Sequence, residues 1–420
     1  MRKPFLLTLN GLVASGFLFF LFFLSPACMR DSCAADGNSC IACHSDMWQD
    51  MQASVHTKHG ISCDKCHGGD PTKDDMAAAK AAGTGYVGVP DKKQIAQICS
   101  SCHSDVEAMN FYGLPTDQLA RYKTSVHGKK LLIEGDTHVA VCSDCHDNHN
   151  ILPISDPQST VYPANIPKTC SQCHAKEKLM ASYKIPPDVY RIYQGSVHGK
   201  ALLEKKDLSA PHCASCHGSH GAVPPGVKEI ATTCGKCHVN EKKYFLESVH
   251  AEAQKQGKFS ECVSCHGNHG VQPPTPALYE EACVKCHDSG SPAFRQGLQI
   301  AEAVRKTDEQ FKAAEAIVKQ ASIEGLFVED ETAALENVKT DVISIAPMQH
   351  TLSLKRISEI RDKVVSETQT IKQSIQQKRE NLRRRKWALV PIWIFIFIMV
   401  LAFWAKYKEL EQKRKNGHEH

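Results

Sequence analysis

Between Cys40 and His287 the chain repeats Cys-x-x-Cys-His nine times. The copies are Cys40, Cys43 and His44; Cys63, Cys66 and His67; Cys99, Cys102 and His103; Cys142, Cys145 and His146; Cys170, Cys173 and His174; Cys213, Cys216 and His217; Cys234, Cys237 and His238; Cys262, Cys265 and His266; and Cys283, Cys286 and His287. Two thiols and an imidazole at this spacing suit one chemistry in particular. The thiols bond to the vinyl groups of a haem, and the following His reaches the iron from the proximal side. Cys-x-x-Cys also serves zinc and dithiol redox sites, but a zinc ribbon pairs two knuckles and needs no His after each. Nine copies, all ending in His, point to nine covalently bound c-type haems with their iron.

A low-spin haem iron takes a second axial ligand, and two His ligands suit electron transfer. Outside the motifs, residues 28–386 hold eleven His. Four of them follow a repeated tripeptide, Ser-Val-His: His56, His127, His198 and His250. Three more stand three residues after a motif His: His149, His220 and His269. These last are too close in sequence to cross to the other face of the same haem, so they are expected to serve the haem of a neighbouring motif. His59, His138 and His212 complete the candidate distal set, and His350 is set aside. In the first repeat the place of His149, His220 and His269 is taken by Asp70. Either His59 makes good that loss, or one haem keeps an open position where a small substrate could bind.

Positioning these groups falls to a repeat. Ser-Val-His recurs at intervals of 71, 71 and 52 residues, each time ahead of two haem motifs. Four dihaem units with the Cys40 haem as a lead-in fill residues 28–292. Pro and Gly in the connections (Pro153, Pro157, Pro224, Pro225, Pro273, Pro274) predict loops and short helices without strands. Fewer than thirty residues surround each haem, too few for an ordinary apolar core. The porphyrins must supply the interior, and neighbouring haems must nearly touch. Of the 20 Cys only Cys28 and Cys33 lie outside the motifs, so no disulfide framework is expected. The formal charge of +4 gives no reason to expect a nucleic-acid partner, and haem propionates would make the surface more acidic still.

The flanks concern the membrane. Residues 1–27 open with Arg2 and Lys3, run uncharged from Pro4 to Ala27 and end in Ser25-Pro26-Ala27, a signal peptide or N-terminal anchor, with Cys28 a loose match to an acylation site. Residues 293–386 carry apolar positions at helical spacing (Leu298, Ala301, Val304, Phe311, Ala314, Val318; then Leu354, Ile357, Ile360, Val364, Ile371, Ile375), punctuated by Gly325 and Pro347. They predict a helical hairpin or bundle, offering a seam for a homodimer. Residues 387–405 contain no charge and carry Trp near both ends, as a membrane-spanning helix does. Basic residues flank it on both sides. Haem attachment outside the cytoplasmic membrane decides the orientation: the haem region faces the periplasm and 406–420 lie in the cytoplasm.

These motifs make the chain similar to the bacterial multihaem cytochromes c. That superfamily includes the NapC/NirT-type quinol dehydrogenases, small tetrahaem cytochromes, pentahaem nitrite reductase and octahaem hydroxylamine oxidoreductase. The resemblance covers residues 40–287 and is specific for haem binding. It implies haems stacked in pairs, and the last two relatives place long helices after the last haem. The nitrite reductases mark their catalytic haem with Lys in place of the motif His, which no motif here does. The NapC type is held by an N-terminal helix, whereas the clear span here is C-terminal. The expected fold is mainly α with little regular structure, a haem-stack domain followed by long helices and one transmembrane helix. The expected function is a membrane-anchored periplasmic electron carrier between the quinol pool, or a quinol-oxidising membrane subunit, and periplasmic or outer-membrane cytochromes in anaerobic respiration. The alternative is a reductase or oxidase of small nitrogen or sulfur compounds at one open haem.

Overall fold

The structure is a computed structural model that describes residues 37–225, 230–257 and 261–416. The expected signal segment, Cys28, Cys33 and the last residues of the tail lie outside the described residues. Among those described there is no strand, and helices of four to twelve residues run from Ser39 to Cys283. Some are set by a clear local signal. Asp91 caps Lys92–His103 in a reciprocal capping box with Gln94, and Pro167 sits in the first turn of Ile166–His174.

The chain divides into two compact units. Among the described residues, one comprises 37–90 together with His149–Ile151, and the other comprises 91–148 and the described residues from 152 to 416. The division falls inside the haem region rather than at its C-terminal end. Residues 149–151 join the first unit through the Val55 N–H, which donates to the Ile151 carbonyl at 2.9 Å.

The haem region buries little of its own apolar surface. Among the described residues, eleven hydrophobic side chains are buried from 37 to 291, against thirteen in the shorter stretch 292–388. Its clusters are small, such as Ala96, Leu131, Val139 and Val141, or Tyr193, Leu202 and Ala210. A chain that fills so little of its interior needs another apolar body to fold around.

The C-terminal part builds a stem of three helices: Pro292–Ile323, Glu329–Met348 and Leu354–Ala388. Buried positions Ile357, Val364, Thr368, Ile371 and Ile375 alternate three, four and seven residues apart, the spacing of a coiled-coil seam. Val364 and Ile371 meet Ala314, Val318, Leu335 and Val338 in one core, and Ile357 meets Ile300 and Ala303 in another. The buried Thr307 and Thr368 hydroxyls donate to carbonyls one turn back, Ala303 and Val364, both at 2.8 Å. The first and third helices run the same way: Gln296 bonds the Leu352 carbonyl, Gln310 meets Lys372, and Glu324 meets Arg379. The second helix returns between them. Gly325, at φ 79°, follows the first stem helix, while Pro347 lies inside the second, one residue before its end. Beyond the stem, Val390–Asn416 is helical, and its apolar window is not buried inside the protein. It is long and apolar enough to cross a membrane. Trp387 belongs to the end of the third stem helix, so helix runs through both expected limits of the span.

Candidate haem-binding site

The Ser-Val-His tripeptide is a helix start. Ser54, Ser125, Ser196 and Ser248 are all N-caps and all buried, at 1, 1, 0 and 8% exposure. A fully buried hydroxyl must be hydrogen-bonded on arrival. Ser125 Oγ accepts from Gly128 N–H at 2.8 Å and donates to the Tyr122 carbonyl at 2.6 Å. Ser196 does the same with Gly199 at 2.9 Å and Tyr193 at 2.6 Å. The His then falls at the second helical position, held by the cap on one side. Glycine is required where the turn closes: a Cβ on Gly199 would stand 1.9 Å from the Tyr193 carbonyl oxygen.

The Val of this tripeptide ties one repeat to the next. Val55 N–H donates to Ile151 O at 2.9 Å, Val126 N–H to Ala222 O at 3.1 Å, and Val197 N–H to Val271 O at 2.8 Å. Each acceptor lies two residues after His149, His220 or His269. The residue after the motif His must turn the chain sharply to place those His rings. It has positive φ in His67-Gly68, His146-Asp147, His217-Gly218 and His266-Gly267, between 66° and 80°.

The result, among the described residues, includes seven pairs of His rings. Their centres are 5.9 to 6.3 Å apart: His67 with His149, His127 with His174, His146 with His220, His198 with His238, His217 with His269, His250 with His287, and His266 with His350. Every pair contains one motif His. An iron bound by two imidazoles sits about 2 Å from each nitrogen, and each ring centre lies about 1 Å further back, so rings trans across iron stand about 6 Å apart. The pairs therefore fit a haem iron between them.

Their electrostatics suit ligation too. Burial pushes the pKa of His127, His174, His198, His220, His250, His266 and His269 below the usual imidazole value, and that of His146 down to about 4, with His220 adding to the shift. A neutral imidazole keeps the lone pair that a metal needs. His67 Nδ1 lies 2.8 Å from the Gly88 carbonyl and His217 Nδ1 3.2 Å from that of Val223. Donating the Nδ1 proton there leaves Nε2 free for iron.

The other candidates are placed differently. His138 is exposed beside Asp136, 3.3 Å away. His212 caps Cys213–His217, and its buried Nδ1 has no hydrogen-bond partner among the described residues. Neither is brought to a motif His. His59 ends the Val55–Lys58 helix. His56 holds the same place in its repeat as His127, His198 and His250. Asp70 accepts from the backbone and hydroxyl of Thr72 and is partly exposed. His350, set aside on sequence, is brought to a motif His. The signal that could have found it is that the last repeat has no successor to supply a ring for His266.

The thiols of successive motifs are neighbours. Cys99 lies beside Cys142, Cys170 beside Cys213, and Cys234 beside Cys262. Cys145 likewise lies beside Cys170, Cys216 beside Cys234, Cys265 beside Cys283, and Cys63 beside Cys40.

Residues 55–175, which hold four of the motifs, match the family model of Cytochrome c3. This chain is a multihaem cytochrome c. No curated protein and no solved structure matches it. The cytochrome carries covalently bound haem c with its iron and transfers electrons, and its long apolar C-terminal helix is a candidate membrane anchor.

Proposed function

We propose that this cytochrome is a nonahaem electron conduit anchored in the cytoplasmic membrane, with its haem region in the periplasm. The observation that carries the reading is the set of seven His pairs at 5.9 to 6.3 Å. Haem bound there supplies a one-electron iron couple. The protein's part is to attach, ligate and space the groups. Ser-Val-His caps present one set of distal rings, and the His three residues beyond a motif His presents the other. Two imidazoles at each iron would leave no open position, which would suit conduction rather than substrate binding. Thiol contacts follow chain order from Cys99 to Cys283, so the attachment points form a line.

The anchor lies at the far end of the stem from the Gln349–Thr351 turn. The 35-residue third stem helix separates them by about 50 Å at 1.5 Å per residue. That distance favours a quinol-oxidising membrane subunit as the partner over direct contact with quinol in the bilayer. Periplasmic or outer-membrane cytochromes are the partners at the other side of the transfer.

The test is EPR of the detergent-purified oxidised protein alongside a pyridine haemochrome count, with and without nitrite or hydroxylamine. Nine haems, all low-spin and unresponsive, are expected. A high-spin haem that shifts on adding either ligand would replace conduction with catalysis.

A further inference from the structure

The ring pairs obey a rule. The first motif His of each repeat is paired with the ring three residues beyond the first motif His of the next: His67 with His149, His146 with His220, His217 with His269. His266 opens the last repeat and has no successor. Its partner is His350, 84 residues further on and outside the haem-motif region, in the turn between the second and third stem helices.

We propose that His350 is the distal axial ligand of the haem attached to Cys262 and Cys265, so that the stem completes the haem array. This rests on the reading of the other ring pairs as haem ligands. Two observations carry it. The ring centres are 6.1 Å apart at 32°, within the range of the other six pairs. Separately, His350 Nδ1 lies 3.0 Å from the Pro347 carbonyl, the same device that leaves Nε2 free on His67 and His217.

The turn is built to hold this ring still. Leu352 adopts φ 52°, and its carbonyl accepts from Gln296 at 2.7 Å. Thr351 is buried and bonds the Met348 carbonyl at 2.9 Å. Gln349 meets the hydroxyl of Tyr279, from the helix leading into the last motif, at 3.1 Å. Arg356, just past the turn, pairs with Glu247 at 2.5 Å and lies over the Tyr244 ring. A histidine serving only to pack would need none of this alignment with His266.

The experiment compares the full-length holoprotein with its His350→Ala, His350→Met and His212→Ala variants. Haem content comes from pyridine haemochrome, and ligation from low-temperature EPR and near-infrared magnetic circular dichroism. In His350→Ala one haem per chain is expected to turn high-spin at unchanged haem content, and added imidazole to return it to low-spin. In His350→Met one bis-His signal is expected to be replaced by a His/Met signal, which covers the case in which the alanine variant fails to accumulate. His212→Ala is expected to match wild type. A His350→Ala or His350→Met protein with the wild-type set of bis-His signals overturns the proposal while leaving the general reading intact. Absence of bis-His signals from the wild type itself overturns both.

Discussion

Ser196→Ala separates a ligand-presenting cap from a merely convenient serine. Ser196 is fully buried, accepts from Gly199 N–H at 2.9 Å and donates to the Tyr193 carbonyl at 2.6 Å. The Tyr193 carbonyl keeps the Ser196 N–H, at 3.0 Å, so the acceptor survives the substitution. Gly199 N–H does not: it lies in the first helical turn, where no intrahelical partner exists, and water is excluded. Losing such a cap costs about 1 kcal/mol, and a buried donor left unpaired costs about 1–3 kcal/mol. These overlap, and about 2 kcal/mol is a reasonable total. That loss falls on the state in which His198 faces His238. Cyanide competing for the distal position should then bind at about 30-fold lower concentration. The assay is a cyanide titration of the full-length holoprotein followed by its absorption spectrum, with Ser182→Ala, an exposed serine outside the haem motifs, as the control. A shift under threefold, or an equal shift in the control, would refute the argument that the buried cap holds the ligand.

Gly199→Ala should prevent accumulation of the holoprotein, because its Cβ would meet the Tyr193 carbonyl; Gly83→Ala, with nothing within 4 Å, should accumulate like wild type, and haem-stained gels compare the two. In the stem, Glu331 is 4% exposed and pairs with Lys378 at 2.7 Å, Ser374 also donating to it. Burial opposes its ionisation, but the Lys378 and Ser374 hydrogen bonds win and hold its pKa below the usual carboxylate range. Glu331→Gln should therefore destabilise the stem by about 2 kcal/mol at neutral pH, Lys378 being partly exposed, read as faster amide exchange over 364–375. With the folded pKa lowered, that contribution is full above the unfolded carboxylate pKa and is lost as pH falls through the folded value. Variant and wild type should thus converge in acid.

The haem motifs, the four repeats and the helical character of the C-terminal part were legible because each is written in local spacing. Ser-Val-His was legible as a repeat, although its role as a buried N-cap depends on a carbonyl three residues upstream. The backbone ties between repeats were not legible. Val55, Val126 and Val197 donate to backbone carbonyls, and a carbonyl leaves no mark in residue type. The stem was expected as a hairpin or bundle and forms three helices, with Pro347 tolerated one residue from a helix end rather than acting as a break. His138 and His212 entered the distal set because histidines were counted rather than placed. His350 was passed over because 63 residues separate it from the last motif, and only folding brings it back.

The register of the ring pairs interlocks the repeats in one direction. His220 lies three residues from His217, yet its ring faces His146, from the preceding repeat. Each repeat therefore completes the one before it, and the segment 55–175 that matches the Cytochrome c3 family carries His146 without the ring that faces it. In the full chain, His220→Ala should turn one haem high-spin. If that haem is the one attached to Cys142 and Cys145, then removing the attachment as well, by Cys142→Ala and Cys145→Ala, should abolish the high-spin signal and lower haem content by one. If instead His220 served the haem of Cys213 and Cys216, the high-spin signal would persist in the triple variant. EPR of the two proteins decides between an interlocked array and four repeats that each close on themselves.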